Sequence, residues 1–258
     1  MPTPHDEHFW NALENYDEEI ISIFKDAEAA RPLVETILRH IGPGTVVADL
    51  GTGTGNLLPY LKGARKVYAV DKAENMLVQA RENNKQPNVE FVQSGFAELS
   101  LPEPVDLAVA VSSVLPASLT DFNRLMNGIV SQMKPGAALV MLLPSFESRL
   151  YYSNLQLAYL IESQGLPEPE AYRQITAMHA KYMNNLFGYI QGKPGFPLQK
   201  FWVANELIER LNAVGTLSDI RVSRFEKPWS VFFSKEPAWI QTKPPRWMWL
   251  VEARTISH

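Results

Sequence analysis

Eight consecutive residues, Asp49-Leu50-Gly51-Thr52-Gly53-Thr54-Gly55-Asn56, combine an acid, three alternating glycines and two hydroxyls. Glycines let a backbone turn sharply and come close to a ligand. At the end of a strand, such a loop lies at the edge where open parallel sheets bind their ligands. The spacing is G-x-G-x-G with the acid two positions ahead, and so differs from the G-x-G-x-x-G of dinucleotide binding. The plain alternative for the loop alone is a tight strand-to-helix connection. A second acid, Asp71, follows about 20 residues later at the end of another apolar run, where a carboxylate can accept both hydroxyl protons of a ribose. Alone, Asp71 reads as a solvated strand end; together, loop and acid point to an adenosine-containing ligand.

The elements around these residues must bring them to one sheet edge. Residues 45–50 are a short, β-branched apolar run after Gly42-Pro43-Gly44, which predicts a buried strand. Further strands are expected at 66–71, 88–92, 105–112 and 137–143, with helices at 56–62, 74–83 and 121–133 between them. Such alternation implies an α/β fold with a parallel sheet covered on both faces. Apolar residues at helical spacing over 14–40 predict two earlier helices, the second beginning near Pro32. The stretch 146–201 has helical periodicity and no convincing strand, and reads as an insertion. Val203, Leu207, Leu211 and Val214 then mark a helix stopped by Gly215, with strands expected at 219–226 and 247–255. The expected organisation is a single domain over 1–258, with N-terminal helices or a lid at 1–40 and a helical cap at 146–201.

The composition of the 258 residues, 46% hydrophobic and 20% charged, is that of a globular protein. A net charge of −4 gives no global pull toward nucleic acid or an anionic membrane, so neither is expected as a partner. The chain has no cysteine, which removes disulfides, thiolate metal sites and cysteine nucleophiles. His5, His8 and His258 lie near the ends, so a cage of imidazoles is not expected. The polar, acidic first residues and the lack of an apolar run of about 18 residues suggest a cytoplasmic protein.

Several pieces in order resemble class I S-adenosylmethionine-dependent methyltransferases. They are residues 46–55, then Val67-Tyr68-Ala69-Val70-Asp71 with Met76 and Ala80-Arg81, then Met133-Lys134-Pro135-Gly136, and the tail Trp247-Met248-Trp249-Leu250-Val251-Glu252-Ala253. The resemblance implies a Rossmann-like, seven-stranded, mostly parallel sheet with an antiparallel last strand, and S-adenosylmethionine as cofactor. It also implies that Gly51 and Gly53 pass under the methionyl part, that Asp49 holds the loop and the cofactor's ammonium, and that Asp71 binds the ribose. Thr52, Gly55, Lys72, Met76, Ala97 and Ser112 complete the implied cofactor contacts. Where the family often has an acid near the adenine amino group, this chain reads Ser94-Gly95-Phe96-Ala97-Glu98, which leaves Phe96 to pack on the ring.

Methyl transfer from a sulfonium needs positioning, desolvation and, at an oxygen or carbon, removal of one proton. Val111-Ser112-Ser113-Val114-Leu115-Pro116 lacks the Asn-Pro-Pro-Tyr or Asp-Pro-Pro-Tyr of enzymes that methylate base or glutamine nitrogens, and no acid there would anchor magnesium, so no metal is expected. The insertion holds six of the nine tyrosines, and Tyr172, Ile175, His179, Tyr182 and Leu186 share a helical face. That face either docks the insertion or lines an apolar cavity over the methyl group. Tyr16, Tyr151, Tyr152, Tyr159 and Tyr182 are the candidate acceptor-side residues; His179 is either the base or a histidine packed between cap and core; and Tyr16 with Asp17 forms a lid, as the resemblance implies, or Asp17 caps a surface helix. The resulting reading is methylation of a small, partly apolar metabolite at oxygen. The alternatives are a protein or RNA methyltransferase, and an inactive protein that keeps the fold and the cofactor.

Overall fold

A computed structural model of the chain describes residues 9, 22–180, 187–190 and 198–256. Helix α1 (Ala27–Leu38) begins at Asp26, whose side chain accepts the Ala29 N–H at 2.9 Å. Its buried residues Ala30, Leu33, Val34 and Ile37 follow helical spacing. Pro32 lies inside this helix rather than at its start. The expected beginning near Pro32 is thus corrected: the aspartate cap fixes the start earlier, and outweighs the one hydrogen bond that proline removes.

Strand β1 (Val46–Leu50) is buried at all five positions, as a strand covered on both faces should be. The helix expected at 56–62 is reduced to one 3₁₀ turn, Leu58–Tyr60. Pro59 sits within that turn and cannot donate, which leaves too few bonds to propagate a short helix. Then follow β2 (Lys66–Asp71), α2 (Glu74–Asn83), β3 (Val89–Gln93), β4 (Val105–Val111), α3 (Leu119–Ser131) and β5 (Met133–Pro144). The insertion contains α4 (Phe146–Ala158), which runs on as a π-helical turn at Tyr159–Ser163, and α5 (Glu168–Ala180). After it come β6 (Tyr189–Ile190), β7 (Gln199–Lys200), α6 (Ala204–Asn212), β8 (Leu217–Lys227), α7 (Trp229–Phe232), α8 (Ala238–Gln241) and β9 (Arg246–Thr255).

The main sheet has the order β3-β2-β1-β4-β5-β9-β8. Strands β1 to β5 pair in parallel, and β9 runs antiparallel to both β5 and β8. This is the seven-stranded, mostly parallel arrangement expected from the sequence, with the last strand reversed. Alternate side chains of β5 feed two cores. Leu139, Met141 and Leu143 pack with Phe122 and Met126 of α3 and Leu207 of α6, while Ala138, Val140 and Leu142 pack with Leu33 and Ile37 of α1. No helix among the described residues is long and apolar enough to cross a membrane.

The insertion leaves and rejoins the sheet at one point. Phe146 N–H donates to Trp202 O and Trp202 N–H donates to Pro144 O, both at 2.9 Å, and Trp249 Nε1 also donates to Trp202 O at 2.9 Å. With its ends so close, the segment can be long without disturbing the sheet. It also contains strand, contrary to expectation: β6 and β7 form an antiparallel pair, Tyr189 opposite Lys200 and Ile190 opposite Gln199. Two residues per strand are too few for an alternating pattern to show. The pair is held instead by Lys200, only 2% exposed, whose Nζ meets Glu206 at 2.8 Å, donates to Phe187 O and lies over the rings of Tyr189 and Trp202.

Candidate active site

The chain turns out of β1 through Gly51, Gly53 and Gly55, all with positive φ. Two of these glycines are required by crowding as well as by conformation. A Cβ on Gly51 would sit 2.3 Å from Ser113 Cβ, and one on Gly55 would sit 2.4 Å from Asn84 Nδ2. Ser113 Oγ itself donates to Leu50 O at 2.6 Å, which fixes the wall opposite Gly51. The N–H groups of Gly51 and Thr52 both donate to Val70 O, at 2.7 and 2.9 Å, so the loop is laced to the end of β2. Asp71 continues that lacing, for its carboxylate accepts the Gly53 N–H at 3.0 Å and the Ala73 N–H at 2.9 Å.

Asp49 lies buried beneath the loop and accepts the Thr52 hydroxyl at 2.6 Å. Burial pushes its carboxyl up to about 7, with the Thr52 bond pulling down and the charge of Asp71 pushing further up. Asp71 is also raised by burial, against the Ala73 and Gly53 N–H groups and the nearby Lys72 charge, which favour its ionised form.

A cleft opens at the carboxyl edge of the sheet, lined by Asp49, Gly51, Thr52, Thr54, Asn56 and Ser112, with Ser22, Ile23, Phe24, Leu57 and Val111 around them. Thr54 belongs to this lining, and its Oγ1 is shut off from water and without a hydrogen-bond partner among the described residues. A buried, unmatched hydroxyl beside a glycine cradle and a buried acid fits a polar ligand that approaches the backbone closely. Ser112 adopts φ of 57°, a conformation costly for a residue with a side chain, at the point where β4 ends. On the other side of the loop, the Phe96 ring reaches within 3.5 Å of the place a Gly51 Cβ would take.

The other expected residues are distributed as follows. Ala97 lies in the 3₁₀ turn Phe96–Glu98, and Lys72 is partly buried beside Asp71. Met76 is fully buried in α2 and belongs to the core behind the site. Tyr151 donates to Pro244 O at 3.0 Å and packs on Trp247, Tyr152 donates to Glu236 at 2.5 Å and packs on Trp229, and Tyr159 packs on Trp239. All three tyrosines therefore meet the segment between β8 and β9, and none is in the lining of the cleft at Gly51. His179, on α5, has both ring nitrogens buried without a partner among the described residues. Tyr16, Asp17 and Tyr182 lie outside the described residues.

Ser22, Ile23 and Phe24 were not foreseen at the cleft. Phe24 reads as one member of a helical stripe, whereas it sits in the middle of the 3₁₀ turn Ile23–Lys25 that leads into α1, and packs on Tyr60 at 5.9 Å between ring centroids. Gly128 was also missed: a Cβ there would fall 1.9 Å from Phe96 O, so its bareness lets α3 press against the turn that carries Phe96.

The sheet order, the glycine loop after β1 and the acid after β2 are the combination expected of a class I S-adenosylmethionine-dependent methyltransferase domain. In agreement, residues 47–136 match the methyltransferase domain family. A trans-aconitate 2-methyltransferase of Rhizobium leguminosarum bv. trifolii is 33% identical over 141 residues, 48% of this chain and 53% of the relative. The protein arginine N-methyltransferase PRMT10 of Oryza sativa subsp. japonica is 44% identical over 77 residues, 28% of this chain and 20% of the relative. The chain thus spans about half the length of the first relative and a fifth of the second. Among solved structures, the DhpI-SAM-HEP complex has a TM-score of 0.59 at 20% identity, covering 96% of this chain and 94% of that one. The N-methyltransferase NodS of Bradyrhizobium japonicum, in complex with S-adenosyl-l-homocysteine, has 0.58 at 9% identity, covering 98% and 99%. At such identities the structural likeness establishes the fold.

Proposed function

We propose that the protein transfers a methyl group from S-adenosylmethionine to a small, partly apolar metabolite, at oxygen. The observation that carries this reading is the loop after β1, bare at Gly51, underlain by the buried Asp49 and tied through Gly53 to Asp71. Four trans-aconitate 2-methyltransferases among the relatives, each named for a small-molecule acceptor, support the small-metabolite part. A net charge of −4 supports it against an RNA acceptor.

The cofactor, when bound, supplies a methyl group on a sulfonium centre. The residues of the chain bind, orient and exclude water. Gly51 and Gly53 give close backbone approach, and Thr54 Oγ1 offers a hydrogen bond it does not make among the described residues. Asp49 is assigned to an ammonium, which would draw its carboxyl into the ionised form. Asp71 is assigned to the ribose hydroxyls, since each of its oxygens can accept a second bond beside the N–H it already holds. Phe96 and Ala97 flank the adenine side.

His179 is assigned as the base. Burial and the neighbouring Arg149 charge hold its pKa below the ordinary value, so the ring is neutral near pH 7 and able to take a proton from an acceptor hydroxyl. The reading is tested by calorimetry with S-adenosylhomocysteine, followed by a screen for S-adenosylhomocysteine release from S-adenosylmethionine with small hydroxy and carboxylic acids. One-site product binding and turnover of at least one acid are expected. His179→Gln should then lower kcat by about 10²-fold or more while leaving product affinity unchanged. A chain that fails to bind S-adenosylhomocysteine is not this enzyme.

A further inference from the structure

Away from the glycine loop, three cations converge with no acid paired to any of them among the described residues. Lys227 ends β8, Arg246 begins β9, and the two stand opposite each other in the ladder. Arg246 Cζ lies 4.6 Å from the centroids of both Tyr152 and Phe233, and Lys227 Nζ lies 4.8 Å from Phe232 and 5.3 Å from Phe233. Arg149 enters from α4, near enough that its charge is felt by Arg246, Tyr152 and His179. The acid in this group, Glu236, accepts the Tyr152 hydroxyl at 2.5 Å. None of the three cations forms an ion pair among the described residues, and the Nε atoms of Arg149 and Arg246 are shut off from water without a partner there.

Gathering like charges against aromatic rings without counter-charge is unfavourable for folding. Ring faces recover a part of that cost, since cations are attracted to them. The remainder is what an oxyanion would return, for guanidinium groups match the planar geometry of carboxylate and phosphoryl oxygens. Burial is the main cause that lowers Lys227 to about 8 and Arg246 to about 10, each also pushed down by a neighbouring cation, while the charge of Glu236 pulls Arg246 back up.

The position of the cluster supports a role with the acceptor. Met248 pairs with Pro144 at the carboxyl end of β5, so Arg246 projects beyond that end, on the sheet edge that carries Gly51 and Ser112. Phe232, with Phe233 packed against it, shares a core cluster with Ile23 and Phe24, and those two residues line the cleft. The site and the cleft thus border the same hydrophobic core, and the charge of Arg149 is felt by His179.

We propose that Arg149, Lys227 and Arg246 form an oxyanion site that binds a carboxylate or phosphoryl group of the methyl acceptor. This inference rests on the methyltransferase reading and names the class of acceptor: a small molecule that carries at least one anionic group beside its nucleophile. The aromatic rings around the cations hold its apolar portion.

Calorimetry and thermal melting of the full chain saturated with S-adenosylhomocysteine, titrated separately with citrate, inorganic phosphate and the neutral ester triethyl citrate, test the proposal. Saturable one-to-one binding of citrate or phosphate is expected, with no binding of the ester. Tighter binding of citrate identifies a carboxylate site, and tighter binding of phosphate a phosphoryl site. Arg149→Met and Arg246→Met should each weaken the anion at least tenfold, whereas Arg39→Gln, at the C-terminal cap of α1, should not. Without anion, Arg246→Met and Lys227→Met should melt at or above the wild-type Tm, because each removes an unpaired charge; if an arginine variant does not fold, Lys227→Met supplies the affinity comparison. Normal S-adenosylhomocysteine binding with no saturable anion binding, or anion binding unchanged by all three substitutions, overturns this site and leaves the methyltransferase reading in place. Loss of S-adenosylhomocysteine binding by the wild type overturns that reading instead.

Discussion

One oxygen of Asp71 accepts the backbone N–H of Gly53 at 3.0 Å while the other accepts that of Ala73 at 2.9 Å. A single side chain at the end of β2 therefore sets both the shape of the loop after β1 and the start of α2. Hydrogen bonds to a charged group contribute about 1.5–3 kcal/mol each. Asp71→Ala is expected to weaken S-adenosylhomocysteine by well over tenfold, and Asp71→Asn by less, since the amide keeps one acceptor oxygen. Titration calorimetry on both variants checks this. Equal affinity in wild type and Asp71→Ala would remove the ribose assignment.

Asp49 makes stability depend on pH in an unusual direction for a carboxyl. Its pKa is raised by burial from 3.8 to about 7, so the folded chain keeps a proton that the unfolded chain has released. Its contribution is fully present below the unfolded value of 3.8 and is lost as pH rises to about 7, with a slope of at most about 1.4 kcal/mol per pH unit. Asp49→Asn has no such proton, so urea midpoints measured from pH 4 to pH 8 should fall less steeply than those of the wild type. The variant should be the more stable protein at pH 8 and the weaker binder of S-adenosylhomocysteine, since it lacks the carboxylate assigned to the ammonium. Parallel midpoint curves for the two proteins would show that Asp49 is ionised throughout.

What could be read from the residues follows from how local each cause is. Val46 to Leu50 is a continuous apolar run because both faces of β1 are covered, and the glycine loop announces itself by spacing alone. The start of α1 depends on Asp26 rather than on the more conspicuous Pro32, and the turn at Leu58–Tyr60 shows Pro59 prevailing over helical spacing. The aromatic face of the insertion was visible, yet its partners were not: Tyr151 and Tyr152 meet Pro244 and Glu236, 93 and 84 residues away. The cation cluster was invisible for the same reason. Lys227 and Arg246 become neighbours only through the β8–β9 register, and Arg149 joins them from a different segment of the chain.

Gly128 is a helix-interior glycine with a steric purpose. In an exposed helix, replacing it by alanine would be worth about 1 kcal/mol in favour of folding. Here the added Cβ would stand 1.9 Å from Phe96 O and 3.0 Å from Ala97 Cα, and both neighbours are backbone that cannot swing aside. Gly128→Ala is therefore expected to destabilise the fold by about 2–3 kcal/mol, as overpacked sites do. It should also displace the Phe96 turn and weaken S-adenosylhomocysteine. Urea melts and calorimetry read the two effects separately, and a stabilised variant would mean that α3 and the Phe96 turn can slide apart at no cost.

Lys200 holds the base of the insertion from within. It is 2% exposed, meets Glu206 at 2.8 Å and reaches Phe187 O, with its ammonium over the rings of Tyr189 and Trp202. Removing one member of a buried pair usually costs about 3–5 kcal/mol, because the other is left buried and unmatched. Glu206 retains 30% exposure, so water can take over part of its solvation and the low end of that range, about 3 kcal/mol, is expected for Lys200→Ala. Lys200→Met keeps the packing on Trp202 and loses only the charge, so it should fall between Lys200→Ala and the wild type. The loss should concentrate on the insertion: hydrogen exchange at Tyr189 and Ile190 should accelerate in both variants, while β1 and β4 stay protected. Acceleration spread evenly over the main sheet would instead make Lys200 a determinant of the whole fold.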